Sequence, residues 1–269
     1  MSIRRTPILA AFALATASGA LPAQAGIVYA PGNHQYHLLS VINRVQEVQG
    51  QKSEFKITNE QRLSVRISAH GRDTLDFAYT LDSSRLTSEP PVQLPDVSKL
   101  QGVQVSGSMS PLGKVYVVHS TASADDPDAA NLIEGMSKFL VTLPKGAKVG
   151  STWTDTTLNS VKRDGNNLDM RTITTSKILG DTMYAGQRAW RVQRTSVLHL
   201  EGNQSQNGQA LQVAGDGTGD GMYYVSTSGT YLGSSATQRM SMKITLPGGA
   251  ETVPVTQVVT STVELASTK

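Results

Sequence analysis

From residue 55 to residue 69 the chain alternates side chains of opposite character. Phe55, Ile57, Leu63, Val65 and Ile67 fall on odd positions, and Lys56, Thr58, Glu60, Arg62, Ser64, Arg66 and Ser68 fall on even ones. A period of two held for that length fits one element, a long strand with one buried and one wetted face. The pattern returns after a turn at 70–73 in Leu75, Phe77, Tyr79 and Leu81, later in Met240, Met242, Ile244 and Leu246, and last in Val253, Val255, Val259 and Val263. Successive strands separated by short turns predict an antiparallel meander. Further strands are expected over 34–48, at Val103 and Val105, over 114–120 and 168–179, around Trp190 to Leu200 and over 222–232. Turns are expected at 111–113, Gly180–Asp181, Ser228–Gly229 and 247–249. Residues 83–102, with three prolines and no period, read as a loop long enough to be a lid or a linker. Residues 201–221, rich in Gly, Gln and Asn, read as an exposed excursion, with GDGTGDG at 215–221 as its hairpin tip.

One stretch breaks the strand pattern. In DDPDAANLIEGMSKFLVTL, residues 125–143, the apolar residues Ala129, Leu132, Ile133, Met136, Phe139 and Leu140 recur at steps of three and four, while Asp128, Asn131, Glu134 and Ser137 take the other side. Asp126 suits the N-cap, Pro127 suits the first helical position, and Pro144 stops the run. The spacing predicts one amphipathic helix over 126–141, and its apolar face needs a sheet to cover it.

Residues 1–25 carry Arg4 and Arg5, an apolar run from Ile8 and the small residues Ala23-Gln24-Ala25. That layout is a secretory signal peptide, expected to be cut after Ala25 to release an exported protein, periplasmic or extracellular. Its loss removes two Arg and no acid, so the formal charge of +3 becomes +1. A nearly neutral chain with 5% aromatic residues lacks the basic footprint and stacking platforms of a nucleic-acid binder. It also lacks the aromatic girdles of an outer-membrane barrel. No transmembrane helix is expected after cleavage. With no Cys, stability must come from a buried core rather than disulfides.

Motifs that would carry chemistry are scarce. His34 and His37 stand three apart, which puts them on opposite faces of a strand. Ser53-Glu54-Phe55-Lys56 matches Ser-x-x-Lys as a string but enters a strand, not a helix. Asp216 and Asp220 lack the closing acid of a calcium loop. No catalytic, metal or cofactor site is therefore expected, and the chain reads as non-enzymatic.

The expected fold is mainly β with one central helix: long antiparallel strands in curved sheet or sheets forming an open or half barrel. It is expected as one domain over 26–269, with halves 26–122 and 151–269 joined by the helix. TNEQRLSV at 58–65 against TITTSKIL at 172–179, and 106–120 against 223–236, would follow from an internal duplication or from shared β composition. The order of signal peptide, meander, helix, then Leu143, Pro144, Val149, Gly150 and Trp153 as LP…VG..W, resembles an uncharacterised family of secreted bacterial β-rich proteins. More distantly it is similar to the periplasmic lipoprotein-carrier half-barrels, which hold acyl chains between sheet and helix. That resemblance implies a cell-envelope protein with a lipid or lipoprotein as partner. It brings no catalytic residue and no cofactor.

Two functions are left open. In the first, an apolar ligand, a lipid or an acylated peptide, lies between the sheet and Leu132, Ile133, Met136, Phe139 and Leu140. In the second, the chain is a cell-envelope interaction or structural module without a pocket, using strand edges or 83–102, and the helix face is core.

Overall fold

The computed structural model describes residues 27–48, 50–123, 127–163, 166–206, 209–247, 249 and 251–268. The leader, Gly26, Asp125 and the proposed cap Asp126 lie outside the described residues. The elements are β1 (Gly32–Val48), β2 (Gln51–Ala69), β3 (Leu75–Glu89), β4 (Gln104–Met109), β5 (Val115–Ser120), α1 (Pro127–Ser137), β6 (Thr152–Arg163), β7 (Asn166–Tyr184), β8 (Gln187–Gln206), β9 (Gln209–Ser226), β10 (Tyr231–Thr245) and β11 (Thr252–Thr268). They form one curved antiparallel sheet of eleven strands in the order β5-β4-β3-β2-β1-β11-β10-β9-β8-β7-β6. Every strand beside its sequence neighbour, plus β1 against β11, is the order of an up-and-down barrel. The β5–β6 pair that would close it is the one missing, so the barrel stays open along that seam. The expectation of a mainly β, one-helix, half-open barrel is met.

The alternation that predicted the strands also sets their faces. Leu63, Val65 and Ile67 of β2 are buried, as are Leu75, Phe77, Tyr79 and Leu81 of β3, whereas Arg62, Ser64, Arg66 and Ser68 face the convex side. The main cluster gathers near the start of β1 and the end of β2, where Tyr36, Tyr79, Phe139 and Tyr231 meet edge to face or tilted. Burial pushes the Tyr36, Tyr79 and Tyr231 hydroxyls up in pKa, and the Tyr36 hydroxyl donates to the Tyr231 carbonyl at 2.8 Å. β4 and β5 are only 6 residues long, against 20 for β8. Past the main cluster, therefore, the longer strands overhang as a trough. Leu198, Val213, Met240 and Val255 are buried on its inner side, outside the main cluster.

Three sequence expectations are corrected. The predicted loop 83–102 begins as strand, because β3 continues to Glu89 opposite Lys56–Arg62 of β2. The predicted turn at Gly180–Asp181 is a bulge inside β7, with Gly180 at φ 143°, and the chain reverses at Ala185–Gly186 with both φ positive, the two-residue hairpin geometry that matches strand twist. The excursion over 201–221 is the end of β8 and most of β9, and the supposed hairpin tip 215–221 lies mid-strand. There Asp216 and Asp220 face outward to His199 and Arg239, and the glycines between them face in, so pairing on both sides overrides a composition that reads as loop. The two internal matches fall on the second strands, β2 and β7, and on the β4–β5 and β9–β10 hairpins.

The helix also departs from expectation. α1 ends at Ser137, not 141. The Ser137 hydroxyl donates back to the Glu134 carbonyl, the Lys138 N–H is shared by the Glu134 and Gly135 carbonyls, and the Phe139 N–H reaches Met136, so the last turn tightens and stops. The chain then runs as an extended strap. Val141 and Leu143 are buried, Tyr29 donates to the Val141 carbonyl at 3.0 Å, and Leu143 N–H donates to Leu112 at 2.8 Å.

On the convex face His199 sits 2.8 Å from Asp216 and 3.6 Å from Glu201. The hydrogen bond to Asp216 raises its pKa above the ordinary 6.5. Folding thus favours the protonated ring: the contribution is full below the unfolded value and disappears as pH rises through the folded one. An NMR titration should place the His199 midpoint above 6.5, and Asp216→Asn should lower it. A midpoint that ignores the substitution would refute the pairing.

Candidate functional site

Between α1 and the concave face of β1, β2 and β3 lies a cavity of about 350 Å³. Leu132, Met136 and Phe139 close it from the helix side, and Leu38, Leu63 and Leu81 from the sheet. Periodicity puts 132 and 136 on one stripe of α1, Phe139 follows in the tightened turn at its end, and 38, 63 and 81 share the inward face of the sheet, Leu63 opposite Leu81 and Leu38 opposite Gln61. Asn59 and Gln61 supply amide groups at one side. Val97, just before the 3₁₀ turn Ser98–Leu100, and Leu100, its last residue, close another.

Of the five helix residues singled out from sequence, three therefore border this cavity. Ile133 is half-buried and packs on the main cluster. Leu140 lies past the helix end, 7% exposed, and faces a second space on the other side of α1. That space, about 940 Å³, is the cleft of the open seam, bordered by Lys114 just before β5, Val118 of β5, Lys138 at the helix end, and Asp155 and Asn159 of β6. Glu134 is committed there: Lys138 Nζ lies 2.6 Å away and Asn159 donates at 2.5 Å. The helix and strap thus divide the barrel interior into an apolar chamber and a polar cleft.

The sheet-side residues escaped sequence reasoning because register, which places Leu38 beside Gln61 and Leu63 beside Leu81, is set by pairing and not by any local signal. Val97 and Leu100, three apart in a proline-rich stretch, were a legible but faint sign that part of 83–102 covers something.

His34 is buried, and burial lowers its pKa; His37 lies outward, 2.9 Å from Glu60. The two share no site. Among the described residues no group of three His, Cys, Asp or Glu is placed to hold a metal ion, and no helix is long and apolar enough to cross a membrane.

No family model and no curated protein matches the sequence. Among solved structures, similarity is found to an outer membrane lipoprotein-sorting protein domain from Vibrio parahaemolyticus, at 10% identity over 87% of this chain and 84% of that one, with a TM-score of 0.21. Similarity is also found to an outer membrane channel from Pseudomonas putida F1, at 10% identity over 89% and 97%, with a TM-score of 0.19. Both likenesses are loose, and the geometry stands by itself.

Proposed function

We propose that this chain is an exported, non-enzymatic protein of the cell envelope that binds an apolar ligand, a lipid or an acylated peptide, between the concave sheet and α1. The observation that supports this reading is the chamber of about 350 Å³ beneath α1, walled on both sides by aliphatic and aromatic side chains. Ligand sites are mostly apolar concavities with a few placed polar groups. Asn59 and Gln61 match the second half of that description. Leu132, Met136 and Phe139 contact the ligand in this reading, and Ile133 and Leu140 brace the helix that carries them. Catalysis has no place in it: the chamber is bordered by amides and hydrocarbons rather than by an acid, base or nucleophile in convergent geometry.

Organic extraction of the protein purified from its native export route, followed by mass spectrometry, is expected to release a lipid or acylated species in stoichiometric amount. A protein that yields none, and that binds no fluorescent fatty acid when stripped, would favour the pocketless interaction module instead.

A further inference from the structure

Five buried side-chain polar atoms lack a hydrogen-bond partner among the described residues, and three of them fall in a single row of the sheet. Trp153 on β6 is the cross-strand partner of Ser176 on β7, and Ser176 is the partner of Arg194 on β8. The orphaned atoms are Trp153 Nε1, Ser176 Oγ and Arg194 Nε. Direct cross-strand neighbours hold their Cβ atoms about 5 Å apart, so three hydrogen-bond donors stand together on one inward wall. Buried donors are nearly always satisfied, and a row left open in this way calls for an acceptor.

The surroundings fit an anion. The Arg194 guanidinium carbon lies 5.1 Å from the centroid of the Tyr223 ring, which fixes the side chain without using its N–H groups. Of the nearby acids, Glu134 is held by Lys138 and Asn159 and Asp220 pairs with Arg239 on the convex face, while Asp155, one row along β6, is exposed and borders the same cleft as Arg194. Trp153 is delivered to the row by the LP…VG..W stretch, whose Gly150, at φ 85°, donates to the Ile178 carbonyl at 2.8 Å and so fixes the entry of β6 beside β7.

The wall beyond Arg194 is built from small side chains. Gly221, Ala236, Ser261 and Ser40 follow it in register, and the row then reaches Asn59, which borders the chamber under α1. A Cβ at Gly221 would lie 2.9 Å from that of Ala236, so any larger residue would crowd the wall. A recess of about 230 Å³ is open there. Five strand steps at about 4.8 Å give roughly 24 Å along the curved wall from Arg194 to Asn59, a track for a long acyl chain. Arg194 also borders the seam cleft, so a polar group reaches it without crossing the packed core.

We propose that Trp153, Ser176 and Arg194 form a subsite for the acidic head group, a carboxylate or a phosphate ester, of an amphiphile whose apolar part lies along the small-residue wall toward the chamber under α1. This rests on reading that chamber as a ligand site. The guanidinium supplies the charge, and the indole N–H and the hydroxyl supply direction.

The test compares a fluorescent long-chain fatty acid, its methyl ester and inorganic phosphate, each titrated into the stripped protein. Ester binding reports the chamber, and the preference for acid over ester reports the subsite. Wild type is expected to favour the acid on the order of tenfold, the difference a charge-assisted hydrogen bond makes. Arg194→Met should erase that preference by weakening the acid alone, and Arg194→Lys should keep part of it. Equal binding of acid and ester by wild type, or a preference that survives in Arg194→Met, overturns the subsite and leaves the chamber standing. Ester that does not bind at all overturns the chamber reading and the proposal with it. Phosphate that raises the thermal midpoint of wild type but not of Arg194→Met, without any acid preference, would assign the row to a free small anion and overturn the head-group assignment. Should Arg194→Met fail to fold, the wild-type comparison decides alone.

Discussion

Replacing Phe139, half-buried but packed on the main cluster, by alanine should lower stability by about 3–5 kcal/mol, the range for truncating an aromatic side chain of a core. The ring stands edge-on to Tyr36, Tyr79 and Tyr231, with centroids 5.1, 5.7 and 5.2 Å away, and each such pair adds to simple area burial. At about 2–4 °C per kcal/mol for a chain of this size, the thermal midpoint should fall by roughly 6–20 °C. Leu132 borders the same chamber without that cage, and Leu132→Ala should therefore cost less, under about 2 kcal/mol, while weakening a bound fatty-acid probe. Urea unfolding and probe titration on both variants separate the roles of the two residues. A near-neutral Phe139→Ala would remove the aromatic cage from the core. A large loss in Leu132→Ala, with no probe binding by wild type, would make the helix a plug and the chamber closed in solution.

Leu143→Asp should be at least as damaging, on the order of 4 kcal/mol or more at neutral pH, because it places an unpaired carboxylate at a buried position. Leu143 is 3% exposed, and its N–H is already bonded to the Leu112 carbonyl. Burial raises the pKa of such an acid, so its folded value would exceed its unfolded one; the penalty is then smallest in acid and grows as pH rises past the unfolded value. Denaturation at a series of pH values checks both size and direction. A mild, pH-independent loss would show that the strap lies loosely on the barrel and does not belong to its core.

Much of this architecture is written in periodicity. The two-residue alternation of 55–69 and 75–81 states which side chains go inward, and the three-and-four spacing of Leu132, Met136 and Phe139 states which face of the helix is covered. These signals are local, so they are legible in one chain. Signals carried by partners are not. β9 reads as a loop because Gly215, Gly217, Gly219 and Gly221 alternate with polar residues, and only the strands on either side explain them: a Cβ at Gly217 would lie 2.7 Å from the Arg239 carbonyl oxygen. The early end of α1 has a local cause, the Ser137 hydroxyl competing for a helix carbonyl, but it is outvoted in the sequence by the apolar spacing that runs on to Leu140. The row of Trp153, Ser176 and Arg194 is invisible before folding, since its members come from three strands and meet through register.

The pairing of β1 with β11 sets a rule for how the molecule must be made. His34 lies opposite Thr268, so the middle of the sheet joins its first strand in sequence to its last. Each flanking meander can zip up from hairpins as it emerges, but the seam between them has the longest loop to close and must wait for the last strand. A chain delivered from its N-terminus therefore carries β1 with one unpaired edge until β11 arrives. A truncation before β11 would leave both β1 and β10 as open templates, which makes the final strand a guard against aggregation as well as the last step of folding.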